Sequence, residues 1–310
     1  MEKTKTQAFL CDEKLHKGTV CERCDCGYHR GDHCTLPLSI ALALASGVTP
    51  EKGIYTAITA GFVISFLGGS RVQIAGPTAA FATIVAGIVA KNGMDGLIIA
   101  TLLAGVILIL MGFLRLGNLI KFIPYTITTG FTSGIAVTIF IGQIKDFLGL
   151  TIVSEEPLIE TMDKLKAVFQ FISTTNVQAL LVGVISLLIL ILWQYLPGFC
   201  KKIPPSLIAV LVGSAMVALL NMNVNTIGDL YEISNKLPSI SLPAFSLKTV
   251  QNVLPDAFTI AILAAIESLL SCVVADSMVN SRHRSNMELI AQGAGNITSA
   301  LFGGIPATGA

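Results

Sequence analysis

Three short stretches place charge-handling residue types inside an otherwise apolar chain. The first is Ala75-Gly76-Pro77-Thr78, within GGSRVQIAGPTAAFATIVAG (68–87). Arg71, Gln73, the Gly-Pro pair and Thr78 interrupt a run that would otherwise cross a bilayer, and unpaired backbone in hydrocarbon is costly. Pro77 suits the first turn of a helix, where its missing N–H costs nothing. A helix from about Thr78 to Ala90 leaves the N–H groups of Thr78, Ala79 and Ala80 unpaired. Together they carry about half a positive charge and can receive an anion. Ala75 and Gly76 are small enough for a ligand to approach the backbone. The structural alternative is a proline-kinked packing helix.

The second stretch is ILAAIESLLSCVV, with Glu267 in mid-span and Ser271 four residues on, on the same helix face. A carboxylate inside a membrane span marks function by default. Glu267 could hold a coupling cation, carry a proton, brace the facing helix, or make a structural hydrogen bond between helices. The third is GGIPATGA (303–310), whose glycine pair, proline and threonine echo the first stretch. One break follows the second span and the other follows the ninth. That odd separation inverts topology, so the second break enters from the opposite face. Two broken elements in corresponding places point to an inverted-repeat transporter site.

The elements that must position these residues are membrane helices. Of 310 residues, 53% are hydrophobic and 13% charged, with a mean hydropathy of +0.76; a polytopic all-α membrane protein has this profile. The net charge of +1 gives no footprint for nucleic acid. No series of period-2 segments suggests an outer-membrane barrel, and no signal peptide is visible. Phosphate-loop, Ser-His-Asp and metalloprotease patterns are lacking, so neither ATP-driven transport nor an enzyme is expected. Apolar runs place spans at 36–47 (a remnant), 54–67, 73–90, 97–114, 123–144, 179–196, 207–220, 257–274 and 289–301. Gly61, Gly105 and Gly112 are small packing residues within them.

Loop charge sets the orientation. With the N-terminus cytoplasmic, the inner loops hold Arg71, Arg115 with Lys121, Lys201 with Lys202, and Arg282-His283-Arg284. The outer side holds Lys91 and Asp95, an acidic loop with Glu155, Glu156, Glu160 and Asp163, and a polar loop over 222–255. This satisfies the positive-inside rule for a multi-pass protein of the plasma membrane. The loop from Asp276 to Glu288 is expected to be a solvated connection.

Residues 1–35 do not belong with the rest. Cys21, Cys24, Cys26, His29, His33 and Cys34 have zinc-ligand types and spacings. No second pair stands at a finger-like distance, so no metal site is expected. The span that begins at Leu36 has about twelve apolar residues where ~20 are needed. A one-base shift of permissible codons for residues 22–35 can yield an apolar run that completes it. Residues 1–35 are therefore expected to be out-of-frame, disordered sequence.

GGSRVQIAGPTAAFATIVAGIVAKNG, GNLIKFIPYTITTGFTSGIAV, IGQIKDFLG and ESLLSCVVADSMVNSRHRSNMELIAQGAGNITSALFGGIPATGA resemble the SulP family of inorganic anion transporters, over residues 36–310. The resemblance implies a fold of two inverted seven-span repeats, present here in part. It implies that core spans 1–4 and 8–10 move against gate spans 5–7. It implies a discontinuous span 3, a short strand plus a half-helix. It also implies a substrate site from Ala75, Gly76, Thr78, Ala79, Ala80 and Phe81 of span 3, Ser271 of span 8, and Ala307, Thr308 and Gly309 of span 10. Glu267, with Ser271, takes the position that holds a coupling ion in sodium-using members. Leu38 follows Pro37 where many members have glutamine; against the family pattern, half of span 1 is expected to be replaced, and the chain is expected to lack most of span 10, spans 11–14 and any STAS domain.

The expected function is secondary transport of an inorganic anion (sulfate, bicarbonate or a related anion) by alternating access. The chain itself is expected to be an inactive fragment. No cofactor is expected beyond Na+ or H+ as coupling ion. The partners are the anion and the lipid bilayer, and a homodimer is the candidate assembly of the full-length form. Two alternatives remain: a nucleobase–cation symporter of the same architecture, and a non-transporting membrane protein with a zinc-binding N-terminal module.

Overall fold

The computed structural model describes residues 38–118, 125–152, 161–195, 205–230, 238–240, 243, 246–280 and 282–309. The expectations for residues 1–35, for Lys121, Lys201 and Lys202, and for Glu155, Glu156 and Glu160 lie outside the described residues. In chain order the helices are α1 (38–45), α2 (Pro50–Leu67), α3 (Ala82–Phe113), α4 (Tyr125–Phe147), α5 (Thr161–Gln170), α6 (Val177–Leu192), α7 (Pro205–Leu219), α8 (Ile227–Leu230), α9 (Leu247–Val279) and α10 (Ser285–Leu301). Strands β1 (Ala75–Gly76) and β2 (Thr308–Gly309) pair antiparallel, with Ala75 opposite Gly309 and Gly76 opposite Thr308. The chain divides into two units, Met1–Phe131 with Ser234–Ala310, and Thr132–Ile233.

The first unit contains both strands. Its core is the seam between α3 and α9, with α10 packed on α2 and α3. Val253, Ala257, Ile260, Ala261 and Ala264 are fully buried along one face of α9, meeting Leu97, Ile99, Ala100, Ala104 and Leu108 of α3. Spacings of three and four keep this face continuous on a helix, and its alanines allow close approach. Asn280 ends α9 in the left-handed conformation, φ 53°, a common device for closing a helix.

α3 is not one rod. Gly93 has φ 69° and ψ −174°, a conformation open to a residue without a Cβ. The segment before it, 82–92, is about 16 Å long, half of a ~30 Å hydrocarbon layer. The segment after it, 94–113, is long enough to cross. The expected spans 73–90 and 97–114 thus meet at a turn centred on one glycine.

α3 and α10 touch through glycine. A Cβ on Gly105 would lie 2.7 Å from the Gly293 carbonyl oxygen, and one on Gly293 would lie 2.5 Å from that of Gly105. Neither backbone has room to yield. Gly105→Ala is expected to destabilise the protein by about 1–3 kcal/mol through overpacking. Thermal unfolding in detergent, followed by circular dichroism, measures this; an unchanged midpoint would show that the helices separate freely.

In the second unit α6 packs on α7. Asn176 caps α6, its Oδ1 accepting from the N–H groups of Gln178 (2.9 Å) and Ala179 (3.4 Å). Leu181, Leu187, Leu188 and Leu192 of α6 and Val210, Leu211 and Leu219 of α7 are exposed. α5 falls inside the expected loop between spans 5 and 6. Its apolar residues Ala167 and Val168 are buried, a short amphipathic pattern masked by charged neighbours.

Candidate functional site

β1 reaches the site through residues 68–74. Thr78 follows in extended conformation, φ −127° and ψ 158°, and a 3-10 turn, Ala79–Phe81, leads into α3. The helix therefore starts later than Thr78. The Thr78 side chain makes no capping bond; its hydroxyl instead donates to Glu267 Oε2 at 3.0 Å. The Phe81 N–H bonds the Thr78 carbonyl at 3.3 Å. Among the described residues no hydrogen-bond acceptor meets the N–H groups of Ala79 and Ala80.

From β2, the Thr308 hydroxyl lies 3.5 Å from Thr78 Oγ1 and close to the Glu267 carboxylate. A hydroxyl just after β1 and one on β2 thus gather at one carboxylate of α9. Among the described residues no lysine or arginine pairs with Glu267. Hydroxyl donors hold a carboxylate in place but do not neutralise it. A proton or a small cation would complete the charge balance of this group within a span.

The remaining α9 contacts fix the strands. The Ser271 hydroxyl accepts from Gln73 Nε2 at 2.6 Å and lies 2.9 Å from the Gly309 carbonyl oxygen and 3.0 Å from that of Ser268. Gln73 Nε2 also donates to the Ser268 carbonyl at 2.9 Å, and Gln73 Oε1 accepts from Cys272 Sγ at 2.7 Å. The Gly309 N–H donates to Ser268 Oγ at 3.1 Å. β2 is also held by α10: Asn296 Oδ1 accepts from the Ala307 N–H at 2.9 Å while its Nδ2 donates to the Ala307 carbonyl at 2.8 Å. Thr56 of α2 accepts from the Ile305 N–H at 2.7 Å.

The structure brings Thr78, Glu267 and Thr308 into one cluster, with Ala79, Ala80 and Ser271 beside it. Ala75, Gly76, Thr78, Ala307, Thr308 and Gly309 are buried, whereas Ala79, Ala80, Glu267 and Ser271 are partly exposed and form the open side. Phe81 is 1% exposed, its side chain in the core with Val85 and Ile88. Ser271 engages Gln73 and the second strand rather than Glu267. Sequence reasoning noted Gln73 only as an interruption of the span and missed Ser268, Cys272 and Asn296. A signal existed for Asn296: Glu288, Gln292 and Asn296 recur every four residues in an otherwise small and apolar helix. The segment expected to be a solvated connection, 276–288, keeps Ser277, Arg282 and Arg284 exposed and also carries internal bonds. His283 bonds Asp276 through main chain and ring at 2.9 and 2.7 Å, and Glu288 is fully buried.

A sequence model of the Sulfate permease family matches residues 33–310. The chain belongs to the sulfate permease family. Within it, the chain is 44% identical over 277 residues to the putative sulfate transporter YvdB of Bacillus subtilis, covering 89% of this chain and 51% of the relative. It is 34% identical over 288 residues to the bicarbonate transporter BicA of Picosynechococcus, covering 89% and 49%. The fold is similar to the transmembrane domain of a cyanobacterium bicarbonate transporter BicA, with a TM-score of 0.77 and 31% identity over 89% of this chain and 70% of that one. It is also similar to the murine Slc26a9 anion transporter in the inward-facing state, with a TM-score of 0.80 over 95% of this chain and 52% of that one, at 20% identity. That second likeness concerns fold alone. The chain spans about half the length of the curated relatives it matches.

Proposed function

We propose that this sulfate permease chain forms the substrate-holding part of a secondary transporter of an inorganic anion, sulfate or bicarbonate, that works by alternating access in the plasma membrane. One observation carries the reading: the N–H groups of Ala79 and Ala80 stand at the start of a helix, beside a carboxylate that the Thr78 hydroxyl orients with Thr308 next to it. Helix N–H groups receive the anion, and Glu267 takes a proton or Na+ so that the two negative groups can coexist. The relatives named as sulfate and bicarbonate transporters support the substrate class and do not favour a nucleobase.

In this reading residues 73–92 are a discontinuous span and the antiparallel strands belong to inverted repeats. Spans 1–4 and 8–10 form the core and spans 5–7 the gate, with the N-terminus cytoplasmic and a homodimer as the assembly. Support comes from the shortness of segment 82–92 and from the apolar helices. The runs Ala79–Phe113, turned at Gly93, and Thr249–Ser277 have mean hydropathies of 2.6 and 2.2. Exposed Phe62, Phe66, Phe113 and Phe140 suit contact with lipid.

Equilibrium binding of labelled sulfate and bicarbonate to the chain in lipid nanodiscs tests the proposal. Saturable binding of either, strengthened by Na+ or by lower pH, is the expected result. Binding of uracil or xanthine in place of both anions would sink it.

A further inference from the structure

We infer that the buried polar edge of α10 is the gauge that sets the separation of the two strand segments, with Asn296 as its central positioning residue. Glu288, Gln292, Asn296 and Ser299 lie along one face of α10, each 0% exposed. Glu288 Oε2 accepts from the N–H groups of Gly69 (2.8 Å) and Ser70 (3.1 Å), on the approach to β1. Its other oxygen accepts from Gln292 Nε2 at 2.8 Å. One turn further, the Asn296 amide holds both main-chain groups of Ala307, just before β2. Ser299 then donates to the Ile305 carbonyl at 2.8 Å. A single helix face thus grips the lead-in of each strand.

The strands cannot do this alone. They pair over only two residues each, and isolated strand pairs so short have no stability of their own. The Asn296 carboxamide presents an acceptor and a donor at the spacing of a peptide group, so it serves as the missing neighbour of β2. α10 is itself locked to α3 where Gly105 meets Gly293, which gives the edge a rigid base. Nor is stability the whole purpose of this edge. Among the described residues Gln292 Oε1 is buried with no partner, a feature that stability alone disfavours. The Gln292 amide also lies against β2, since a Cβ on Gly309 would stand 2.7 Å from its Nε2. The edge therefore holds the Thr308 hydroxyl beside that of Thr78, 3.5 Å away. The effect on anion affinity rests on the function proposed above; the spacing does not.

The test uses Thr78→Cys with Thr308→Cys in the full chain in nanodiscs. Their cross-linking rate under mild oxidation is read by mass spectrometry of the linked peptides. Anion affinity is measured in parallel on chains that retain both threonines. Asn296→Ala is expected to slow cross-linking and weaken anion binding by roughly tenfold each, the loss expected from buried hydrogen bonds. Asn296→Asp, which keeps an oxygen for the Ala307 N–H, is expected to recover part of both, and keeps the test decisive should the alanine variant not fold. Val253→Ala, a cavity in the α3–α9 core remote from both strands, is expected to lower the unfolding midpoint while leaving rate and affinity unchanged. Parental cross-linking in both Asn296 variants overturns the inference, as does an equal slowing by Val253→Ala. Slowed cross-linking in the Asn296 variants of a chain whose parent binds neither anion would uphold the gauge and remove the proposed function.

Discussion

Glu267→Leu is expected to abolish anion binding while leaving membrane insertion intact. In the parent, Thr78 Oγ1 donates to this carboxylate at 3.0 Å and Thr308 reaches the same group. Leucine keeps the bulk but leaves the Thr78 hydroxyl without its charged acceptor. Losing such an acceptor is worth about 2–4 kcal/mol, roughly thirty- to a thousandfold in affinity. Thr78 then turns toward its own helix and caps the N–H groups that would receive the anion. Glu267→Gln separates two roles of the parent side chain. It retains an oxygen for the hydroxyls, so part of the affinity should remain, but it can neither take up a proton nor balance a cation, so dependence on Na+ or pH should vanish. Labelled-anion binding across pH and Na+ concentration, with membrane fractionation as the insertion control, reads both effects. Tighter binding by the leucine variant would show that Glu267 repels the anion, and would overturn its assignment as a coupling site.

Glu288→Ala is expected to have the largest effect on stability. Three donors converge on this carboxylate: the N–H groups of Gly69 and Ser70 and the Gln292 amide. All are lost at once, in a position with no access to water. Bonds to a charged group contribute more than neutral ones, and donors left buried and unpaired add their own penalty. The sum is about 3–5 kcal/mol, a large share of the 5–15 kcal/mol typical of a folded domain, roughly stated. Glu288→Gln keeps an acceptor for part of this set and should cost less than half as much. Thermal unfolding in detergent distinguishes the two variants, and an unchanged midpoint in Glu288→Ala would mean that the segment from Gly68 to Gln73 is held by something else.

Much of the architecture was legible before any coordinates. The apolar runs at 97–114, 179–196, 207–220 and 257–274 correspond to α3 beyond Gly93 and to α6, α7 and α9 within a few residues at most ends, because helix length and hydropathy are local properties. Helix starts were less legible. Pro77 suggested a helix from about Thr78, yet Thr78 stays extended because its hydroxyl bonds a residue 189 positions away. The loop before α10 looked like a solvated connection, since Arg282, His283, Arg284 and Glu288 are polar in any hydropathy profile. A profile cannot register that main-chain N–H groups wait for Glu288 on another element.

By itself the sequence determined that this is a chain of apolar helices with two polar interruptions, 75–78 and 303–310, and one carboxylate in mid-span. Those facts follow from residue type and spacing along the chain. Only the tertiary structure decided that the interruptions pair as antiparallel strands, that Thr78 and Thr308 converge on Glu267, and that Gln73, Ser268 and Asn296 hold the strands in place. The strand pairing and the Thr78–Glu267, Thr78–Thr308 and Gln73–Ser268 contacts join residues about 190 to 235 positions apart. No periodicity reports them, because they exist only once α3, α9 and α10 have packed and closed those distances.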